Sequence, residues 1–98
     1  MARTSRSKPE HLARKLLQVR TSLGFSQSEF LRLLGLEEMM PYKRISDFER
    51  GNAEPSLPVL LRYARVANIS TDVLIDDELD LPVKLPYSPP NKKSTRRR

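Results

Sequence analysis

The stretch Pro41-Tyr42-Lys43-Arg44-Ile45-Ser46-Asp47-Phe48-Glu49-Arg50-Gly51 (PYKRISDFERG) decides the reading of this chain. A proline suits the first turn of a helix, where its missing N–H costs nothing, and a glycine suits the residue just past the end. Ile45 and Phe48, one turn apart, predict an inward face. Tyr42, Lys43, Arg44, Asp47 and Arg50 are left to an aromatic and charged outward face. A helix this short is marginal alone, so its apolar pair needs neighbouring helices to bury against.

Working outward, the neighbours are there. Ser7 with Glu10 three residues on has capping-box spacing, and Pro9 suits a first turn. Leu12, Ala13, Leu16, Leu17, Val19 and Leu23 then recur at helical spacing, predicting a first helix over residues 9–23 that ends at Gly24. Ser26 and Glu29 repeat the capping box, and Phe30, Leu31 and Leu34 predict a second helix over 27–34, closed by Gly35. LEEMM (36–40) reads as a connection with room for a turn of its own. After the loop GNAEPS, Ser56 caps a fourth helix with Pro58 in its first turn and Leu57, Leu60, Leu61, Ala64 and Ala67 on one face. A short fifth helix starts at Ser70 or Thr71 and carries Val73, Leu74 and Ile75. Pro82, Pro86, Pro89 and Pro90 preclude a continuing helix. The expectation is an all-α, compact five-helix bundle, with a basic arm at 1–8, a folded domain at 9–77, a Pro-rich extension at 78–90 and a disordered basic tail at 91–98.

Composition narrows the chemistry. With 98 residues there is room for one small domain and little for an enclosed catalytic cleft. Cysteine is absent, which excludes disulfides and thiolate metal sites, and His11 is the only histidine. No cofactor is implied. No apolar run approaches membrane-spanning length and the first residues lack a secretory signal, so a cytoplasmic protein with no membrane partner is expected. The net charge of +6 is uneven. Arg3, Arg6, Lys8, Arg14, Lys15 and Arg20 crowd the beginning, and Lys92, Lys93, Arg96, Arg97 and Arg98 the end. Such arms suit a polyanion partner, because each cation at a phosphate releases condensed counterion. Charged tails that merely keep a small protein soluble are the competing reading.

The motifs in order resemble the Cro/repressor-type (XRE-like) helix-turn-helix proteins. The resemblance runs through R-x-x-x-G-x-S-Q (Arg20, Gly24, Ser26, Gln27), Leu31 and Gly35. It continues with I-S-x-F-E-x-G (Ile45, Ser46, Phe48, Glu49, Gly51), Pro55, Leu60 and Ala64, and ends near Leu74. It implies a lambda repressor-like DNA-binding domain and a transcriptional regulator, expected to be a repressor, that reads the major groove of double-stranded DNA with its third helix. The base-reading positions it implies are Tyr42, Lys43, Arg44 and Asp47, whose side chains suit guanine, cytosine N4 or a thymine methyl. Ser26, Gln27, Arg50 and Asn52 are implied phosphate contacts. Arg20 and Glu49 are implied to be an internal ion pair, which if exposed is worth about 0–1 kcal/mol. Gly51 is expected in a left-handed conformation. A homodimer is expected, since one recognition helix reads only a half-site.

Alternatives stand beside these expectations. Tyr42 could pack inward rather than read, and Lys43 and Arg44 could serve phosphates rather than bases. The turn between Gly35 and Ile45 is longer than is usual in the family, which bears on where the reading residues fall. Glu37 and Glu38 within it are expected to point away from DNA. Residues 76–90, with alternating apolar residues and prolines, could dock on a partner protein, as in an antitoxin-like member, or pack locally. An enzyme is the remaining class. Asp76, Asp77 and Glu78 resemble paired carboxylates only superficially, with no nucleophile or base beside them.

Overall fold

A computed structural model describes residues 10–87, and its first helix starts later than the sequence predicts. Helix α1 spans Leu12–Leu23, with His11 at the N-cap and no side chain of its own capping it. The Ser7 capping box, Pro9, the arm at 1–8 and the tail at 91–98 lie outside the described residues. The cap comes from the far end of the chain. Asp77 Oδ2 accepts the Glu10 N–H at 2.9 Å and Oδ1 accepts the His11 N–H at 3.1 Å. Asp77 thus supplies the cap that the start of α1 lacks from its own side chains.

The remaining helices are α2 (Gln27–Leu34), α3 (Lys43–Glu49), α4 (Leu57–Ala67) and α5 (Thr71–Ile75). Local chemistry explains their ends. Ser26 and Glu29 form the full reciprocal capping box of α2, while Ser56 and Ser70 cap α4 and α5 with their side chains. Gly35, after α2, has φ +76°, a conformation that L side chains resist. A Cβ there would also stand 2.9 Å from the Arg62 guanidinium. That guanidinium donates to the Leu34 carbonyl at 2.8 Å and so caps the end of α2.

Helix α1 packs on α3 and α5, α2 on α3 and α4, and α4 on α5. The shared core holds Leu12, Leu16, Val19, Phe30, Leu31, Leu34, Leu36, Ile45, Phe48, Val59, Leu60, Tyr63, Ala64, Ala67 and Leu74. Burying a side chain of Leu, Ile, Val or Phe size contributes about 1.5–3 kcal/mol, so this cluster supplies most of what holds the short helices together. The aromatic rings form a ladder through it: Tyr63 to Phe30 at 5.1 Å and Phe30 to Phe25 at 6.2 Å between centroids.

Several core expectations need correction. Leu57 is 75% exposed and Leu61 40%. The buried stripe of α4 is Val59, Leu60, Tyr63, Ala64 and Ala67. At about 100° per residue, Leu61 stands a quarter-turn round from Leu60 on the side away from Tyr63. Leu57 sits at the helix entry, before the stripe begins. Leu17 and Ile75 likewise face outward.

Lys15 is the reverse case: counted among the cations of a basic arm, it is buried. Its ammonium donates to the carbonyls of Val73 (2.8 Å), Asp76 (2.9 Å) and Leu79 (2.6 Å). Those carbonyls lie at and just beyond the end of α5, where helical partners run out. The cation therefore caps α5 from α1, while Asp77 caps α1 from beyond α5. No helix among the described residues is long and apolar enough to cross a membrane.

Candidate nucleic-acid interface

One carboxylate ties α3 to both α1 and α2. Glu49, in the last turn of α3, accepts from Arg20 Nε at 2.6 Å on Oε2 and from Arg20 Nη2 at 3.0 Å on Oε1. Arg20 Nη1 also donates to the Phe25 carbonyl at 2.8 Å, tying α1 to the entrance of α2. Gln27, the first residue of α2, donates from Nε2 to Glu49 Oε1 at 3.3 Å. The side chains of Arg20 and Glu49 are only 14% and 4% exposed. This corrects the expectation of a weak exposed pair: a buried, bidentate pair is costly to break on one side. The hydrogen bonding of Arg20 to Glu49 raises the Arg20 pKa above its ordinary value against the opposing effect of burial. Tyr63 is buried close by. Burial, then the negative charge of Glu49, pushes its hydroxyl well above the ordinary tyrosine range.

On the outside of this clamp the two helix starts present their side chains. Tyr42 is the N-cap residue of α3 and is 57% exposed, so it does not pack inward. Lys43 beside it is exposed. Arg44 lays its guanidinium 5.3 Å from the Phe48 ring centroid and stands 3.9 Å from the Asp47 carboxylate, with side chains 43% and 27% exposed. The two half-exposed groups thus hold each other one turn apart. Ile45 and Phe48 are core, as the opening stretch predicts.

The phosphate candidates divide. At the start of α2, Ser26 Oγ accepts from the Glu29 N–H at 3.1 Å and the Ser26 N–H donates to Glu29 Oε1 at 2.9 Å. The Ser26 N–H, and after it the Ser26 hydroxyl, holds the Glu29 carboxyl below its ordinary pKa. Ser26 is thereby occupied as a cap, whereas Gln27 and Ser28 carry first-turn N–H groups without helical acceptors. Past α3, Arg50 Nη2 donates to Ser46 Oγ at 2.7 Å. Gly51 has φ +77°, as expected, and turns the chain so that the N–H groups of Asn52 (2.9 Å) and Ala53 (3.3 Å) reach the Asp47 carbonyl. The side chain of Asn52 is exposed.

The long turn is ordered by its own hydrogen bonds. Leu36 is buried, and its carbonyl accepts from Met39 (2.9 Å) and Met40 (3.2 Å). Glu37, Glu38 and Met39 bulge outward. The extra residues form a closed turn pinned by Leu36, and α3 still meets α2 through Glu49. Sequence reasoning missed two parts of the site. Ser46 as the tether of Arg50 is visible in its i,i+4 spacing. The bond from Gln27 to Glu49 joins residues 22 apart, and nothing local announces it.

A family model described as helix-turn-helix matches residues 16–74, from the buried Leu16 to the buried Leu74. The chain belongs to the Cro/repressor-type helix-turn-helix family. It is a DNA-binding transcription regulator of that type. No curated protein and no solved structure matches it. In this Cro/repressor-type chain, α2 and α3 are the helix-turn-helix pair. Among the described residues no group of three or more His, Cys, Asp or Glu is placed to hold a metal ion.

Proposed function

We propose that the chain is a sequence-specific repressor that places α3 in the major groove of a two-fold operator in the cytoplasm. The observation that supports this best is the Glu49 clamp. It spends a buried ion pair on fixing α3 against α1 and α2, and leaves Tyr42, Lys43, Arg44 and Asp47 outward. In this reading those four residues contact base edges, with the Arg44–Asp47 pair presenting a donor fork and an acceptor together. Gln27, Arg50, Asn52 and the α2 start hold phosphates, Ser26 acting through the cap that shapes that start. Glu49 aims the Gln27 amide by taking one of its two N–H groups and leaving the other for a phosphate oxygen. Occupying the operator suffices for repression, and no catalytic role is proposed.

The test begins with selection of bound sequences from a random duplex pool, inspected for two-fold symmetry. Variants are then titrated on the selected and a scrambled duplex at fixed salt. Arg44→Ala should cost roughly 1–3 kcal/mol on the selected site and much less on the scrambled one. Gln27→Ala should weaken both by similar factors, because phosphates look alike in every sequence. Uniform losses for every α3 variant would make that helix a phosphate clamp and end the reading proposal.

Ile75, Leu79 and Val83, spaced by four along α5 and the extension, are exposed apolar residues. We propose this edge as the surface where a second copy docks, giving the homodimer that a two-fold operator requires. The second reading, an antitoxin-like regulator, gives the same edge to a partner protein. Sedimentation of the parent and of Leu79→Asp decides: a dimer that the variant splits supports the first. A parent that stays monomeric on DNA leaves the edge to a partner.

A further inference from the structure

Arg44 leaves α3 on its flank, and two neighbours decide where its guanidinium goes. The buried side of α3 is Ile45, Phe48 and Glu49. At about 100° per residue, Asp47 stands nearly opposite that side, and Arg44 roughly a quarter-turn from the outward direction, on the edge next to Phe48. The guanidinium carbon lies 5.3 Å from the Phe48 ring centroid, and Nη1 stands 3.9 Å from Asp47 Oδ2. An i,i+4 contact and an i,i+3 contact thus meet at one cation.

Both neighbours are themselves held in place. Phe48 is a core residue with 2% of it exposed. The Asp47 backbone is fixed by its carbonyl, which accepts from the Asn52 N–H at 2.9 Å and the Ala53 N–H at 3.3 Å. The ring attracts a cation to its face but lies toward the bundle, whereas the carboxylate lies on the outward side. Each contact is weak at a half-exposed site and adds little to the fold. Their joint effect is on freedom: a long, rotamer-rich side chain restricted before binding has less entropy left to lose when it binds.

We propose that Asp47 is a positioning residue for Arg44: its carboxylate draws the guanidinium from the flank of α3 to the outward face, where the fork meets O6 and N7 of one guanine. The proposal deepens the base-reading proposed above and rests on it. Oδ2 is engaged by the guanidinium, and Oδ1 is left to face a neighbouring base. The two side chains then act as one unit on one operator position. Removing either member relaxes the preference at that position, whereas two independent readers would each relax a position of their own.

The experiment repeats the selection from a random duplex pool with the full chain and with Arg44→Ala, Asp47→Ala, Asp47→Asn and the double variant Arg44→Ala, Asp47→Ala. Each is then titrated on the parent's selected duplex at fixed salt, with thermal melts alongside. Arg44→Ala should lose the guanine preference at one position and roughly 5- to 150-fold in affinity. Asp47→Ala should relax that same position with a smaller loss of affinity, and Asp47→Asn, which keeps the shape and removes the charge, should do likewise. The double variant should lose less than the product of the two single losses, since the carboxylate then has nothing to position. Melts of the Asp47 variants should match the parent's, because the pair is half-exposed. Guanine preference kept in both Asp47 variants, or losses that multiply in the double variant, overturns the inference and leaves Arg44 as a reader without help. A melt that falls in step with affinity in both Asp47 variants also overturns it, as the carboxylate would then be holding the helix rather than the guanidinium. If Arg44→Ala relaxes no position at all, the failure lies in the base-reading proposal for Arg44 itself.

Discussion

At the scale of single residues, Glu49 shows how burial changes the meaning of a familiar pair. Its carboxylate serves Arg20 twice and Gln27 once, with 4% of the side chain exposed. Glu49→Ala strands a largely buried guanidinium and should cost about 3–5 kcal/mol. Glu49→Gln keeps the shape, loses the charge and one acceptor, and should cost about 1–3 kcal/mol. Urea denaturation measures both, and midpoints matching the parent would remove the pair from the fold's support. Tyr63 poses the opposite case. Its hydroxyl is buried with no hydrogen-bond partner, while its ring packs at a tilt against Phe30. An unsatisfied buried hydroxyl costs free energy, so Tyr63→Phe should leave stability unchanged or raise it by up to about 1 kcal/mol. A clear loss in the same urea experiment would show that the hydroxyl has found a partner.

At the scale of elements, the parts of the fold written locally were legible and the parts written across the chain were not. Gln27–Leu34 follows from a capping box, an apolar triplet and a glycine, all within ten residues. Lys15 and Tyr63 carried a signal that composition obscured. Lys15 falls inside the Leu12, Leu16, Val19 stripe and Tyr63 inside Leu60, Ala64, Ala67, so periodicity places both inward despite their polar ends. The cap of α1 had no such signal, because Asp77 lies 67 residues from Glu10 and reads in sequence as one acid in a cluster. The candidate site divides the same way: α3 and its outward residues come from motif spacing, but the Gln27–Glu49 bond comes only from packing. The Asp77 cap has a pH signature. The N–H of Glu10, then that of His11, holds its carboxyl below the usual range. A depressed carboxyl contributes stability above its unfolded value, near pH 4, and loses it as pH falls through the lower folded value. Asp77→Asn should therefore be less stable than the parent at pH 7 and show a flatter acid limb below about pH 4. Denaturation midpoints across that range test it, and a limb parallel to the parent's would mean the cap carries no linked proton. Glu29, depressed for the same kind of reason, remains in both proteins and cancels.

At the scale of the whole molecule, two electrostatic systems respond to salt with opposite sign. The ion pair that orients α3 and the ammonium that caps α5 are buried, and solvent ions screen such groups weakly. The excess of positive charge, +6 over the chain, acts mostly through exposed groups, which repel one another in the folded state. Raising salt from about 50 mM to about 500 mM should relieve that repulsion and hold or slightly raise the melting temperature. Over the same range affinity for the selected duplex should fall linearly on a log–log plot, since each phosphate contact then recovers less from counterion release. Thermal melts and titrations in identical buffers measure the two together. Their divergence matters, because a helix-turn-helix that weakened on DNA only by loosening would lose both at once. If the melting temperature drops in step with affinity, the salt effect is loss of the fold, and the exposed cations Lys43 and Arg50 and the basic tail have no claim on phosphate. If it holds while affinity falls, the clamp around Glu49 stays closed as the DNA leaves. The charges that fold the protein and those that bind its partner are then separate sets.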